Sequence, residues 1–140
     1  SDLTPDRALK RWYTDRITDK KDSPGKPTSV QLLRDAAKLV DANPELAKHL
    51  EVVRIHEEGP DWIVRDFDPG SREAKDPAPQ DRRRADAAIA ASQQLLRTMQ
   101  KQQPQNKALR TLLSRLTSLP PSANVHWSKK QQKLLIIDLM

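Results

Sequence analysis

The residues best equipped for chemistry sit in one passage, EVVRIHEEGPDWIVRDFDPG, from Glu51 to Gly70. His56-Glu57-Glu58 begins like the zinc-protease pattern H-E-x-x-H. That pattern needs a second histidine one helical turn on to share the metal, with the glutamate as general base. Pro60 stands in the second histidine's place. Asp66 and Asp68 begin like a calcium loop, which takes oxygen ligands from alternate positions and a closing glutamate. Gly70 and Pro77 occupy the third ligand position and the closing one. His49 and His56 would share a face of a continuous helix, yet no third ligand accompanies them. The expectation is an acidic surface cluster and no metal site.

Other reactive arrangements are missing from the sequence. Without cysteine there is no disulfide, thiolate metal site or cysteine nucleophile. Three scattered glycines form no phosphate-cradling loop. No G-x-S-x-G elbow is present. We therefore expect a non-catalytic protein with no cofactor, leaving open a composite site shared with another domain.

Charge is the stronger signal. The net charge is +6, unevenly spread. Residues 41–80 carry five Lys/Arg against ten Asp/Glu, and residues 81–140 carry eleven Lys/Arg against Asp81, Asp86 and Asp138. A basic segment of this kind favours an anionic partner, unless the acidic middle folds against it. Arg82, Arg83 and Arg84 open a helix whose dipole is already positive there. That arrangement is mildly unfavourable without a negative partner. Lys129, Lys130 and Lys133 repeat the pattern, and Lys101, Lys107 and Arg110, with Arg97, extend a basic face. Trp127 is a candidate stacking platform for a base, or else a core anchor. Leu134, Leu135, Ile137 and Leu139, in an apolar terminus, are candidates for an apolar contact surface.

The elements that must position these residues read as mainly helical. Thr4 and Pro5 open a first helix, with Leu9, Trp12, Tyr13 and Ile17 as its stripe. Thr28 or Ser29 caps a second helix, residues 28–43. Asn43 caps a third starting at Pro44. From Glu51 two readings compete: the helix continues to Glu58, or a β-hairpin turns at Gly59-Pro60-Asp61. VVRIHE and WIVRDF are rich in β-branched and aromatic residues, and the hairpin is favoured because DWIVRDF has no helical start signal. Residues 68–81 form a Pro-rich surface loop. Two amphipathic helices follow, the second capped by Asn106. Ser128 caps a last helix ending in the apolar run.

The expected fold is mainly α: antiparallel helical hairpins or a bundle, with one short β-hairpin or irregular insert around residues 51–68. It forms a single domain over residues 1–140, with an N-terminal helical unit (4–58), the loop (68–81) and basic C-terminal helices (82–140). The apolar ending suggests either a piece of a longer, bacterial-type protein or a tail that packs into the core. With no apolar run near membrane-spanning length, we expect a cytoplasmic location and no membrane partner. The leading expectation for function is a protein-interaction or assembly module, bound to a protein partner or to other domains of the same chain. The alternative is nucleic-acid binding through the basic last third. A winged-helix order is conceivable, but its hairpin tip, HEEGPD, is acidic and would repel phosphates.

Overall fold

In a computed structural model, the structure describes residues 4–11 and 26–139. The chain is not mainly α. It is a mixed α/β fold with two sheets. Its elements run β1 (Arg7–Arg11), α1 (Lys26–Asp41), α2 (Pro44–Ala47), β2 (Leu50–Val52), β3 (Ile55–Glu58), β4 (Trp62–Asp66) and β5 (Arg72–Glu73). After these come α3 (Arg82–Gln102), α4 (Lys107–Thr117), β6 (Val125–Ser128) and β7 (Lys133–Ile136).

Two segments expected as helix are strands. Arg7–Arg11 pairs antiparallel with β4, from Arg7 opposite Asp66 to Arg11 opposite Trp62. Helix preferences of Ala8, Leu9 and Lys10 are a weak bias that such pairing overrides. Trp12, Tyr13 and Ile17 lie outside the described residues. The second change is at the end of the chain, where β6 and β7 form a hairpin in place of a last helix. A run as short as Leu134–Ile137 has no period that separates helix from buried strand. Sheet membership decides it.

The first sheet has the order β1-β4-β3, and the β3–β4 hairpin turns at Gly59-Pro60-Asp61 as expected. The Gly59 N–H donates to Trp62 O at 2.9 Å. A Cβ on Gly59 would lie 2.1 Å from Trp62 Nε1, so the indole lies against the turn and leaves room only for glycine.

The second sheet has the order β2-β7-β6-β5, with β2 parallel to β7. Its register puts Leu50, Leu134 and Trp127 in one row and Val52, Ile136 and Val125 in another. All six are at most 3% exposed. Strand side chains alternate between faces, so these rows form one apolar face. α1 packs on β2, and α3 packs on β7. The intervening row, Glu51, Leu135, His126 and Glu73, looks the other way. The sheet is thus apolar toward the helices and polar on its second face.

Several local expectations resolve differently. Asn106 does cap α4: its Oδ1 accepts from Leu109 N at 3.0 Å. Asn43 does not cap α2. Its amide donates to Leu39 O at 2.7 Å and closes the end of α1. Ser29 lies inside α1, fully buried, and donates to Asp138 Oδ1 at 3.1 Å. The Pro-rich segment is pinned rather than loose. It contributes edge strand β5, and Ala74, 2% exposed, donates its N–H to Val125 O at 2.8 Å.

Candidate anionic-partner interface

The hairpin turn between β6 and β7 is built around Ser128. Its hydroxyl donates to Asp68 Oδ2 at 2.5 Å and accepts the Gln131 N–H at 3.1 Å. The Gln132 N–H donates to Ser128 O at 2.7 Å. Gln132 itself adopts φ +55°, a left-handed conformation that glycine or asparagine usually fills. The turn presents Lys129 and Lys130 to solvent.

This turn meets the start of α3. Arg84 Nη1 donates to Gln132 Oε1 at 3.0 Å, and Gln132 Nε2 donates to Lys129 O at 2.8 Å. One amide therefore links a guanidinium of α3 to the backbone of the lysine turn. Arg84 is thereby brought beside the turn of Lys129 and Lys130 although the two segments lie more than forty residues apart, and Arg82 and Arg83, also exposed, precede it at the start of α3.

The remaining candidate cations gather at the far end of α3. Lys101 lies in its last turn and Lys107 and Arg110 in the first turns of α4, with Arg97 one turn before Lys101. Arg83, Ala87, Ala90, Gln94, Arg97 and Lys101 follow spacings of four and three, and all are exposed. They form one helical stripe with cations at both ends and with exposed Asp86 at the margin of its middle. Lys133 is half-buried in β7.

No family model, curated protein or solved structure matches this chain.

Among the described residues, the acidic middle forms no ion pair with these cations, although Glu51, Asp66 and Asp68 line a cleft with Lys130. Its carboxylates pair locally or with α1: Asp41 with Arg54 at 2.5 Å, Glu45 with Lys48 at 3.0 Å and Glu58 with Arg34 at 2.7 Å. His56 Nε2 lies 2.6 Å from Asp66 Oδ1, Glu73 is 3.3 Å from Lys75, and Asp76 is 3.5 Å from Arg72. Hydrogen bonding to Arg54 holds the Asp41 carboxyl below its usual range. Among the described residues, no cation between Arg82 and Lys133 takes part in an ion pair. Two of the three carboxylates of this segment, Asp81 and Asp138, are only 4% and 7% exposed. Asp86 is the one of the three that faces solvent, against nine exposed Lys/Arg.

The other sequence candidates belong to the interior. Trp127 is 3% exposed within the apolar face of the second sheet, so it anchors the core and offers no platform to a base. Leu134, Leu135 and Leu139 are at most 3% exposed, and Ile137 is half-buried. The expected apolar contact surface is therefore the core's own strand, because β7 lies between β2 and β6.

A cleft of about 380 Å³ opens beside the lysine turn, lined by Asp6, Glu51, Asp66, Phe67, Asp68 and Lys130 among others. Three of its carboxylates serve as brackets. Asp66 accepts the Arg54 N–H at 2.9 Å, Asp68 accepts the Gly70 N–H at 3.0 Å, and Asp6 accepts the Thr4 hydroxyl at 2.5 Å. Among the described residues no group of three His, Asp or Glu is placed to hold a metal ion. Nearby, Ser71 Oγ lies 2.9 Å from His126 Nδ1 and ties the Pro-rich segment to β6. Burial pushes the His126 pKa below its usual value. Among the described residues, no helix is long and apolar enough to cross a membrane.

Gln132 is the residue that sequence reasoning missed. A glutamine after two lysines carries no signal. Its role appears only when the positive φ and the two amide hydrogen bonds are seen together.

Proposed function

We propose that this domain is a non-catalytic nucleic-acid-binding module that grips the phosphate backbone through α3, the start of α4 and the β6–β7 turn. The observation behind this reading is the excess of positive charge on these elements: nine exposed cations with Asp86 as their one exposed carboxylate, while Asp35 beside Lys107 and the cleft carboxylates beside Lys130 lie at the edges. A phosphate chain supplies closely spaced negative charge and gains entropy by releasing its counterions. An acidic protein surface fits less well. The stripe between the cation clusters, Ala87, Ala90 and Gln94, has none of the large apolar or aromatic anchors that dominate protein interfaces.

The test is fluorescence anisotropy with labelled DNA and RNA at two salt concentrations. Contact with about five phosphates predicts an affinity loss of about five hundredfold between about 50 and about 200 mM salt. Charge reversal at Lys129 and Lys130 should weaken binding to every sequence alike. Absence of binding to any nucleic acid at low salt removes the proposal.

A protein-interaction module remains as a second reading, on a different observation. A groove of about 580 Å³ between α2 and α3 is lined by Leu46, Leu95 and Met99. It gains support if nucleic acids fail to bind and if Met99→Glu abolishes an assembly detected by light scattering.

A further inference from the structure

We infer that the two cation clusters form one footprint on a duplex, about eight base pairs long, and that Gln132 is the positioning residue of one of its ends. The inference rests on the nucleic-acid reading above and adds strandedness, length and a residue to it.

Arg83 and Lys101 are 18 positions apart, five full turns, so they point from the same side of α3 about 27 Å apart. At 3.4 Å per base pair along the axis, that separation corresponds to about eight base pairs. Between them the side of α3 carries one carboxylate, Asp86, at its margin, with Ala87 and Ala90 too short to hold a backbone away. Lys107 and Arg110 broaden the far end, and Lys129 and Lys130 broaden the near one.

Strandedness follows from the aromatic residues. Proteins that hold single strands combine a basic groove with exposed rings on which unpaired bases stack. Trp127 is the sole Phe, Tyr or Trp between residues 81 and 140, and it is buried beneath the helices. Phe67, 43% exposed, lines the cleft beside Lys130 at one edge of the face, so the face offers unpaired bases a single ring and no succession of rings to stack on. It suits a duplex, whose bases are already stacked and whose outside is phosphate.

Gln132 fixes the near end. Its amide holds Arg84 with one atom and the Lys129 carbonyl with another. The backbone accepts a left-handed conformation at a non-glycine residue to put it there. Arg84 and the lysine turn are thereby oriented before a ligand arrives, which lowers the ordering cost of binding.

The experiment measures the intact domain by anisotropy against single-stranded DNA and against DNA and RNA duplexes of about 6, 10 and 16 base pairs. Duplexes should bind more tightly than the single strand. After correction for the number of registers, affinity should rise from about 6 to about 10 base pairs and then level off. Preference for either DNA or RNA duplex supports the inference. Tighter binding to the single strand overturns it but spares the parent reading, whereas binding to none of the probes removes both. Equal corrected affinity at every length also overturns it.

For Gln132, the informative variant is Gln132→Gly, because glycine accepts the positive φ and leaves the turn at least as stable. We expect a loss of about threefold to tenfold in duplex affinity, with the melting temperature maintained and the salt slope unchanged. Wild-type affinity in Gln132→Gly, with folding intact, overturns the positioning role. If the turn itself is disturbed, Arg84→Gln provides a second check. It should lower the salt slope by about one unit, and an unchanged slope counts against the clamp.

Discussion

Ser29 and Asp138, separated by 109 positions, meet in the interior, with the Ser29 hydroxyl donating to Asp138 Oδ1 at 3.1 Å. The same carboxylate accepts the Leu139 N–H at 2.7 Å and forms an ion pair with Lys10. Three distant parts of the chain, β1, α1 and the residues after β7, therefore converge on Asp138. Removing it takes the acceptor from the buried Ser29 hydroxyl and the Leu139 N–H and an ion-pair partner from Lys10. We expect Asp138→Ala to cost about 2 kcal/mol, below the full penalty of a sealed ion pair because Lys10 keeps some contact with water. Asp138→Asn, which still accepts from Ser29, should cost less. Denaturant midpoints measure both, and equal midpoints for wild type and Asp138→Ala would sink the idea.

Ile136 lies at the centre of the four-stranded sheet, fully buried and flanked by Val52 and Val125. Ile136→Ala should destabilise the domain by about 3 kcal/mol, since the lost methyl groups leave a cavity between β7 and α3. An apolar tail at the surface would tolerate the change almost freely. Urea unfolding discriminates the two, and a change below about 0.5 kcal/mol would contradict the buried strand.

What the sequence made legible was mostly local. The stripes of α1, α3 and α4 are regular enough to read as helices. Asn106 capped as its type and position predicted. Ser128 is instructive because its local reading was sound and its context was not. Its hydroxyl accepts a backbone N–H three residues on, as a helix cap would, yet the residues beyond form a hairpin turn. The usual signal for such a turn is glycine or asparagine at the left-handed position, and here glutamine stands there.

The sheets were hidden for a related reason. β2 spans three residues and its partner β7 lies more than eighty residues away. No window of sequence contains both. Leu134–Ile137 could be read as a contact surface or as a tail packed into the core, because the strands that bury it are elsewhere in the chain. The basic patch was legible as composition. That Arg82–Arg84 and Lys129–Lys130 form one surface required the fold.

Gly59 has a role set by packing rather than by backbone freedom. Gly59→Ala would drive a methyl into the Trp62 ring, which must then leave the turn. We expect a loss of about 1 kcal/mol, at the low end for overpacking, because Trp62 is only half-buried and can swing outward. The Trp62 indole N–H resonance should shift while that of Trp127 stays in place. An unmoved Trp62 signal would show that the ring does not lie against Gly59 in solution.

His126 ties stability to pH. Burial lowers its pKa most, Arg65 pushes in the same direction, and Glu73 and Asp68 partly oppose them. The folded protein thus holds the proton more weakly than the unfolded chain, whose histidines titrate near about 6.5. Between these two values the unfolded state binds more protons, so stability rises with pH. Read in the other direction, stability is fully present above about pH 6.5 and declines as the pH falls toward the depressed folded value. His126→Gln keeps an acceptor for Ser71 and removes the titration. Melting temperatures of both proteins should be compared from about pH 8 to about pH 5. Wild type should lose stability relative to His126→Gln on acidification, and parallel curves would show that this imidazole is not desolvated by the fold.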